Sequence, residues 1–415
     1  MDTFVQRKIG IIGAGPAGMM AAVFASQNGA CVTLFEKNSC VGKKLAITGK
    51  GRCNVTNDCD NAEFLKNVIA NPKFLYASIS GFDTQDTKSF FENAGVPLKT
   101  ERGRRVFPVS DSAHDIVNAL RTQVLVNGCE IKNEKVIGIT VNGTKVCGLE
   151  TVKGEYAFDA VICATGGISY PGTGSDGDGF RFAKDLGIKV TPLTPSLVPV
   201  ETVEPLGELM GLSLKNVTLS VTDTDTSKVV FSELGEMLFT HFGLSGPLVL
   251  SASTHMKNMR TGKYYVSVDL KPALDEKELD KRILNDFSTR TNKDFQNSLS
   301  ALLPSKIIPY IIKRTGISPT LKVNEITREQ RRVLVDTLKG LAFTVKSFRP
   351  IKEAIVTAGG IDVSEINPST MQSKRIEGLY FAGEMIDTHA YTGGYNLQIA
   401  FSTGALAGTH SAWGD

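Results

Sequence analysis

The chain has 415 residues, 41% hydrophobic and 21% charged, with a formal net charge of +3. Its length points to two or three domains with ample core, which excludes any need for disulfide or metal staples. The near balance of charge does not by itself call for a polyanion or a membrane surface as partner. Seven cysteines, an odd and scattered set without a C-x-x-C pair or zinc-like spacing, fit a reducing cytoplasm and supply no metal site. The N-terminus carries no signal-peptide pattern and no apolar run is long enough to span a membrane, so a cytoplasmic location is expected.

The strongest local signal comes first. "RKIGIIGAGPAGMMAAVFASQNGACVTLFEK" reads as strand, turn, helix and second strand. Ile9–Ile12 is a short apolar run of the kind a buried parallel strand requires. Gly13-Ala14-Gly15-Pro16-Ala17-Gly18 then matches G-x-G-x-x-G, and a helix of small residues runs to about Asn28. In such a unit Gly13 permits the tight turn, Gly15 admits a pyrophosphate and Gly18 brings helix and strand together. Glu36, at the end of the second strand, is placed to bind ribose hydroxyls. These residues, with Lys37 beside them, predict a dinucleotide site but do not separate FAD from NAD.

The next stretch, "GKKLAITGKGRCNVTN" (42–57), is dense in glycine, lysine and polar residues. Lys44 is expected to bring charge to the phosphates. Gly51, Arg52, Cys53 and Asn54 are expected to run along the cofactor toward its ring. Cys53 is read as packing there, since no resolving cysteine stands close by.

"YAFDAVICATGG" (156–167) reads as a strand ending in Ala-Thr-Gly-Gly and resembles the second signature of two-dinucleotide-binding flavoproteins. "IEGLYFAGEMID" (376–387) resembles the third, in which an acid near the strand end binds the ribityl chain. These resemblances select FAD and add Thr165, Gly166, Gly383, Glu384 and Asp387 to the cofactor set. "THAYTGGYNLQIAFSTGALAG" (388–408) supplies a glycine turn and a helix starting near Asn396, whose N-terminus would face the flavin. Gly394, Asn396, Leu397 and Val136 complete the set. Because these segments lie at both chain ends, the middle reads as an insertion.

Six segments in order, "GKKLAITGKGRCNVTN", "RRVFPVSDSAHDIVNAL", "ATGGISYPGTGSDGDGF", "FTHFGLSGPLVL", "EAIVTAGGI" and "THAYTGGYNLQ", resemble one family. It comprises flavoproteins described as aminoacetone-oxidase-like or bile-acid-reductase-like NAD(P)/FAD-dependent oxidoreductases. The resemblance implies FAD, with NAD(P)H as a transient reductant. It also implies a small-molecule substrate between insertion and flavin. The reaction it favours is hydride transfer through flavin N5 to a polarised double bond. The alternatives are reduction of uridine in ribosomal RNA and O₂-dependent oxidation of a small amine such as aminoacetone.

The expected fold is α/β: a Rossmann-like FAD-binding domain from residues 1–192 and 351–415, closed by both chain ends. The insertion divides into a β-rich subdomain (193–271 and 340–350) and a small helical cap (272–339). A second G-x-G-x-x-G, Gly172–Gly177, lacks a strand directly before it and an acid after its helix, and reads as a loop over the flavin. His389 and Tyr391 are the candidates for catalysis, as proton donor or base. His241 is a lesser candidate; His114, His255 and His410 read as surface or packing residues. Arg102, Arg104 and Arg105, in "KTERGRR", are the candidates for RNA contact; "TREQRR" (327–332) is a second basic cluster.

Overall fold

The computed structural model describes residues 6–414. The chain divides into two compact units, Met1–Ser196 with Ile351–Asp415, and Leu197–Pro350. Each has its own apolar core.

In the first unit strand β1 (Lys8–Ile12), helix α1 (Pro16–Gln27) and strand β2 (Cys31–Phe35) follow one another. Strands β3 (Thr56–Asn57), β4 (Leu98–Glu101) and β5 (Arg105–Pro108) make a small antiparallel sheet, in the order β3-β5-β4. Strand β6 (Glu130–Lys132) precedes a meander of β7 (Val136–Asn142), β8 (Lys145–Thr151) and β9 (Gly154–Ala157). Strand β10 (Ala160–Cys163), helix α2 (Asp178–Asp185) and strand β11 (Thr194–Ser196) lead to the insertion.

The insertion contributes β12 (Val200–Thr202), β13 (Ser213–Asp223), β14 (Lys228–Phe239), β15 (Gly243–Ser245), β16 (Tyr264–Asp269) and β17 (Leu341–Phe348). After it come β18 (Val356–Ala358), β19 (Leu379–Phe381) and the long helix α3 (Tyr395–Trp413).

The main sheet is parallel throughout, in the order β19-β10-β1-β2-β6. Strands β10 and β19 are buried at every residue, which explains their unbroken apolar runs. The stretch at 156–167 is not one strand. Its first part pairs antiparallel in the meander and its second joins the parallel sheet. Between them the Asp159 carboxylate accepts the Lys8 N–H at 2.8 Å. The third-signature strand is likewise confined to Leu379–Phe381.

The insertion is a closed antiparallel barrel, β12-β15-β14-β13-β16-β17. Closure removes free strand edges. The helices Glu276–Ser288, Ile308–Thr315 and Arg328–Lys339 bury Leu279, Ile311 and Leu338 in the same core as Val268 and Phe343 of the barrel. Helices and barrel therefore share one core. The compact unit begins at Leu197 rather than Leu193, because β11 pairs with β18 in the first unit.

Candidate functional site

The first glycine turn links β1 to α1. Gly13 has φ +98°, and a Cβ at Gly18 would stand 1.9 Å from the Gly13 carbonyl oxygen, so this close approach admits only glycine. Gly15, the N-cap, differs: a Cβ there would meet nothing within 4 Å. Pro16 occupies the first turn, where its missing N–H costs nothing. No acid stands in that turn and no side chain caps it, so its N–H groups and partial positive charge remain unspent.

Helices α1 and α3 pack through glycine. A Cβ at Gly404 would lie 2.4 Å from the Ala17 oxygen, and one at Gly408 2.3 Å from that of Ala21. Both contacts advance by one turn together, so the helices run parallel and their N-termini face the same way. The start of α3 reaches about 12 Å beyond that of α1, at 1.5 Å per residue. That offset suits an extended dinucleotide with phosphates at the first helix and its ring at the second.

Two loops flank the start of α3. In the first, Lys50 and Cys53 hold positive φ (58° and 59°) without being glycine, a strain of about 1–2 kcal/mol each. Burial pushes the Cys53 thiol up to about 12, so it carries no thiolate and serves as packing. The Asn54 Oδ1 atom is buried and has no partner among the described residues. Gly394 closes the second loop with φ +99°; a Cβ there would stand 2.3 Å from the Thr56 carbonyl. Thr56 also donates to Gln398 Oε1 at 2.6 Å, and Asn57 Nδ2 donates to Gly393 O at 3.1 Å.

His389 lies in that second loop, 8% exposed, with its backbone oxygen accepting from Ile69 N at 2.8 Å. Its Nδ1 and the neighbouring Thr388 Oγ1 are buried and without partners among the described residues. Burial pulls the imidazole down to about 4, partly opposed by Glu384, so it is neutral at neutral pH. Tyr391 is partly buried and its N–H donates to Asn67 O. The Asn396 side chain is spent inside the loop, accepting from Ala390 N and donating to the Ala390 and Tyr391 oxygens. Leu397 is partly buried in the first turn of α3, and Tyr395 packs edge-on against Phe64.

Several residues expected at the cofactor also have partners within the chain. Lys44 Nζ meets Glu384 Oε2 at 2.6 Å and Ser169 Oγ at 2.7 Å, and the other Glu384 oxygen accepts from Ser169 and from Thr357 N. Burial works to raise the Glu384 carboxyl, but the Lys44 ammonium and these hydrogen bonds bring it below the usual range. Lys37 pairs with Asp176 at 2.6 Å and Asp178 at 3.1 Å. Arg52 bonds Glu101 and Asp111 and lies 4.2 Å over the Phe107 ring. Lys37 and Lys44 each spend two of three N–H donors on these partners, so each keeps one for a further acceptor.

Glu36 accepts from Ala14 N at 3.0 Å and from the Asn38 backbone and side chain. Burial raises the Asp387 carboxyl, while the Thr191 hydroxyl and Gly359 N–H hold it back. Val136 begins β7, buried, and Gly51 is partly buried with open space where a Cβ would stand. Thr165 and Gly166 follow β10, the threonine hydroxyl 3.8 Å from the Met385 sulfur. Gly383 sits where a Cβ would crowd that of Ala17 at 2.8 Å, which brings the third signature onto α1.

His241 is exposed beside Phe242 in the second unit, and His114 is exposed. His255 and His410 pack against Phe231 and Trp413. Asn57, Ser169, Thr357, Thr388 and Gln398 were not singled out in the sequence, although each lies inside one of the segments that carry the family resemblance.

FAD fits this geometry. The open ground at Gly15 and the bare start of α1 offer an anion cradle, and the loops beside α3 carry buried Asn54, Thr388 and His389 atoms without partners among the described residues. Among the described residues no three potential metal ligands gather, and no helix is long and apolar enough to cross a membrane.

Fold and site define an FAD-dependent flavoprotein oxidoreductase. The chain belongs to the HI0933-like family, whose description, HI0933-like protein Rossmann domain, matches residues 7–410. It is 30% identical to the 3-dehydro-bile acid delta(4,6)-reductase of Clostridium scindens, over 98% of this chain and 99% of that protein. It is also 30% identical to the ribosomal RNA dihydrouridine synthase of Escherichia coli, over 95% of each chain. The solved 3-ketosteroid delta1-dehydrogenase of Sterolibacterium denitrificans shares the fold, with TM-score 0.53 and 14% identity over 99% of this chain and 100% of that one.

Proposed function

We propose that this enzyme passes hydride from NAD(P)H to a polarised carbon–carbon double bond of a small molecule. FAD, when bound, supplies the two-electron hydride chemistry. The observation that carries the reading is the bare start of α1 beside open ground at Gly15, together with unpartnered buried atoms of Asn54, Thr388 and His389 in the loops next to α3. The chain's residues bind and orient there. Gly15 leaves room for the pyrophosphate and α1 attracts its charge. Asn54 and Thr388 offer neutral hydrogen bonds to ring or substrate.

His389 holds and directs without charge, because its imidazolium is scarce at neutral pH. The proton for the substrate carbon is therefore assigned to Tyr391, whose phenol supplies an O–H donor in the same loop. Neutral hydrogen-bonding groups polarise a conjugated carbonyl in a low-dielectric setting. One relative is named as a reductase, which agrees with this direction. A cytoplasmic setting belongs to the same proposal, since all seven cysteines are free.

A second reading, reduction of uridine in RNA, draws on the relative named as a dihydrouridine synthase and on the exposed Arg102, Arg104 and Arg105. Anaerobic titration with NADH and NADPH, followed at the flavin absorption band, tests both. Stoichiometric bleaching, reversed by a conjugated enone, is the expected result. Reoxidation by ribosomal RNA but by no enone would move the substrate to RNA. No bleaching by either nucleotide would overturn the proposed reductant.

A further inference from the structure

The hairpin joining β4 to β5 carries Arg102, Arg104 and Arg105 at its tip, all exposed. Nearby acids are already claimed: Glu101 and Asp111 by Arg52, Asp111 also by Lys99 at 2.8 Å, and Asp58 by Lys88 at 2.9 Å. None of the three tip arginines has an ion pair among the described residues, whereas in the second basic cluster Arg331 pairs with Asp280 and Arg332 lies 3.9 Å from Asp336. The Arg105 Nε donates to the Arg102 carbonyl at 3.1 Å, which draws the tip together. It is a cationic arm with its charge unspent.

The arm is tied to the candidate site by one side chain. Asn57, 2% exposed, donates from the same Nδ2 to Gly103 O in the tip and to Gly393 O in the turn opening α3, both at 3.1 Å. Strand β3, which holds Asn57, also pairs with β5 directly at Asn57 and Arg105. The tip therefore stands one buried amide away from the glycine turn that opens α3.

We propose that Arg102, Arg104 and Arg105 bind the phosphate groups of NAD(P)H, and that Asn57 is the positioning residue holding this arm to the flavin-facing turn. The proposal rests on the reductant named above. Arginine suits phosphate because its planar fork gives paired, charge-assisted hydrogen bonds. A nicotinamide dinucleotide that finds no second Rossmann unit needs such an anchor. Single-stranded RNA, the competing ligand, wants aromatic faces on which bases stack. The ring closest to the tip in sequence, Phe107, is 4% exposed and covered by Arg52.

The test is anaerobic stopped-flow reduction of the FAD-loaded enzyme by NADH and NADPH. The exposed triple variant Arg102→Gln/Arg104→Gln/Arg105→Gln is expected to raise the half-saturating nucleotide concentration at least ten-fold, with FAD content and dithionite reduction unchanged. Loss confined to NADPH would assign the arm to the 2′-phosphate, and equal loss to the pyrophosphate. Asn57→Asp, which removes the donor at nearly constant size, is expected to shift the same concentration. Combined with the triple variant it should add nothing further, whereas a merely structural role would add its own loss. Wild-type half-saturation in the triple variant would overturn the inference, as would unchanged reduction with lost RNA binding. A wild type that neither nucleotide bleaches would instead remove the reductant itself, and this inference with it.

Discussion

The chain contains the same glycine pattern twice, at Gly13–Gly18 and at Gly172–Gly177, and the two behave in opposite ways. The first opens onto a helix with no acid in its first turn and no side-chain cap. The second opens onto α2, which carries Asp178 in its first turn, and Lys37 bridges that acid to Asp176. At α1 the positive end of the helix is left for a ligand; at α2 the chain has supplied its own charges. Glycine spacing makes a phosphate site only where the N–H groups and the dipole are still available. The same contrast separates the orphaned atoms of His389 and Asn54 from the paired charges of Lys44 and Glu384.

Three experiments probe that contrast. Gly15→Val should leave the fold intact, since the first side-chain carbon meets open space, yet place bulk where phosphates belong. FAD affinity should fall by roughly three orders of magnitude, about 4 kcal/mol, read from flavin retained after reconstitution. A fully yellow variant with unchanged affinity would erase the distinction between the two turns.

The second concerns His389. Its folded value of about 4 lies below its ordinary 6.5, so it contributes nothing to the pH dependence above 6.5. As pH falls from 6.5 toward 4 the unfolded chain takes the proton and the native chain does not. Stability should therefore drop by up to about 3 kcal/mol across that window, and His389→Phe should lack that part of the loss. Denaturant melts of both proteins at several pH values measure it. Parallel curves would show an imidazole that titrates normally.

The smallest effect belongs to the second turn. Asp176→Asn removes one partner of a partly exposed pair, leaves Lys37 with Asp178, and should cost no more than about 1 kcal/mol. FAD content should not change. Loss of flavin from this variant would mean that the second turn also holds the cofactor.

Four strands of the main sheet were legible because a buried strand must be apolar, as at Ile9–Ile12 and Val161–Cys163, whereas the edge strand β6, Glu-Ile-Lys and only partly buried, was not. The insertion and its mix of strands and helices were legible for the same kind of reason, in the periodicity of runs such as "VTLSVTD" and "DEKELDKRIL". What periodicity reports is which face of a segment is buried, not which distant residue it meets. Lys44 and Glu384 are 340 positions apart and Arg52 and Glu101 are 49, so their pairing left no local mark. Closure of the barrel was hidden too, since β12 and β15 are three residues each, too short to show alternation. Thr357 was marked only as part of "EAIVTAGGI", with nothing local to show that its hydroxyl accepts from both Ile168 and Ser169.

The barrel's seam has an evolutionary consequence. Its first and last strands, β12 and β17, are hydrogen-bonded neighbours, with Val200 opposite Phe348. The chain thus leaves the inserted module beside the point at which it entered. A segment with adjoining ends can be acquired, exchanged or deleted as one cassette, because the host loop needs only a few residues to rejoin. Relatives with the same nucleotide-binding frame are free to diversify by swapping this cassette, without rebuilding the frame that carries the chemistry.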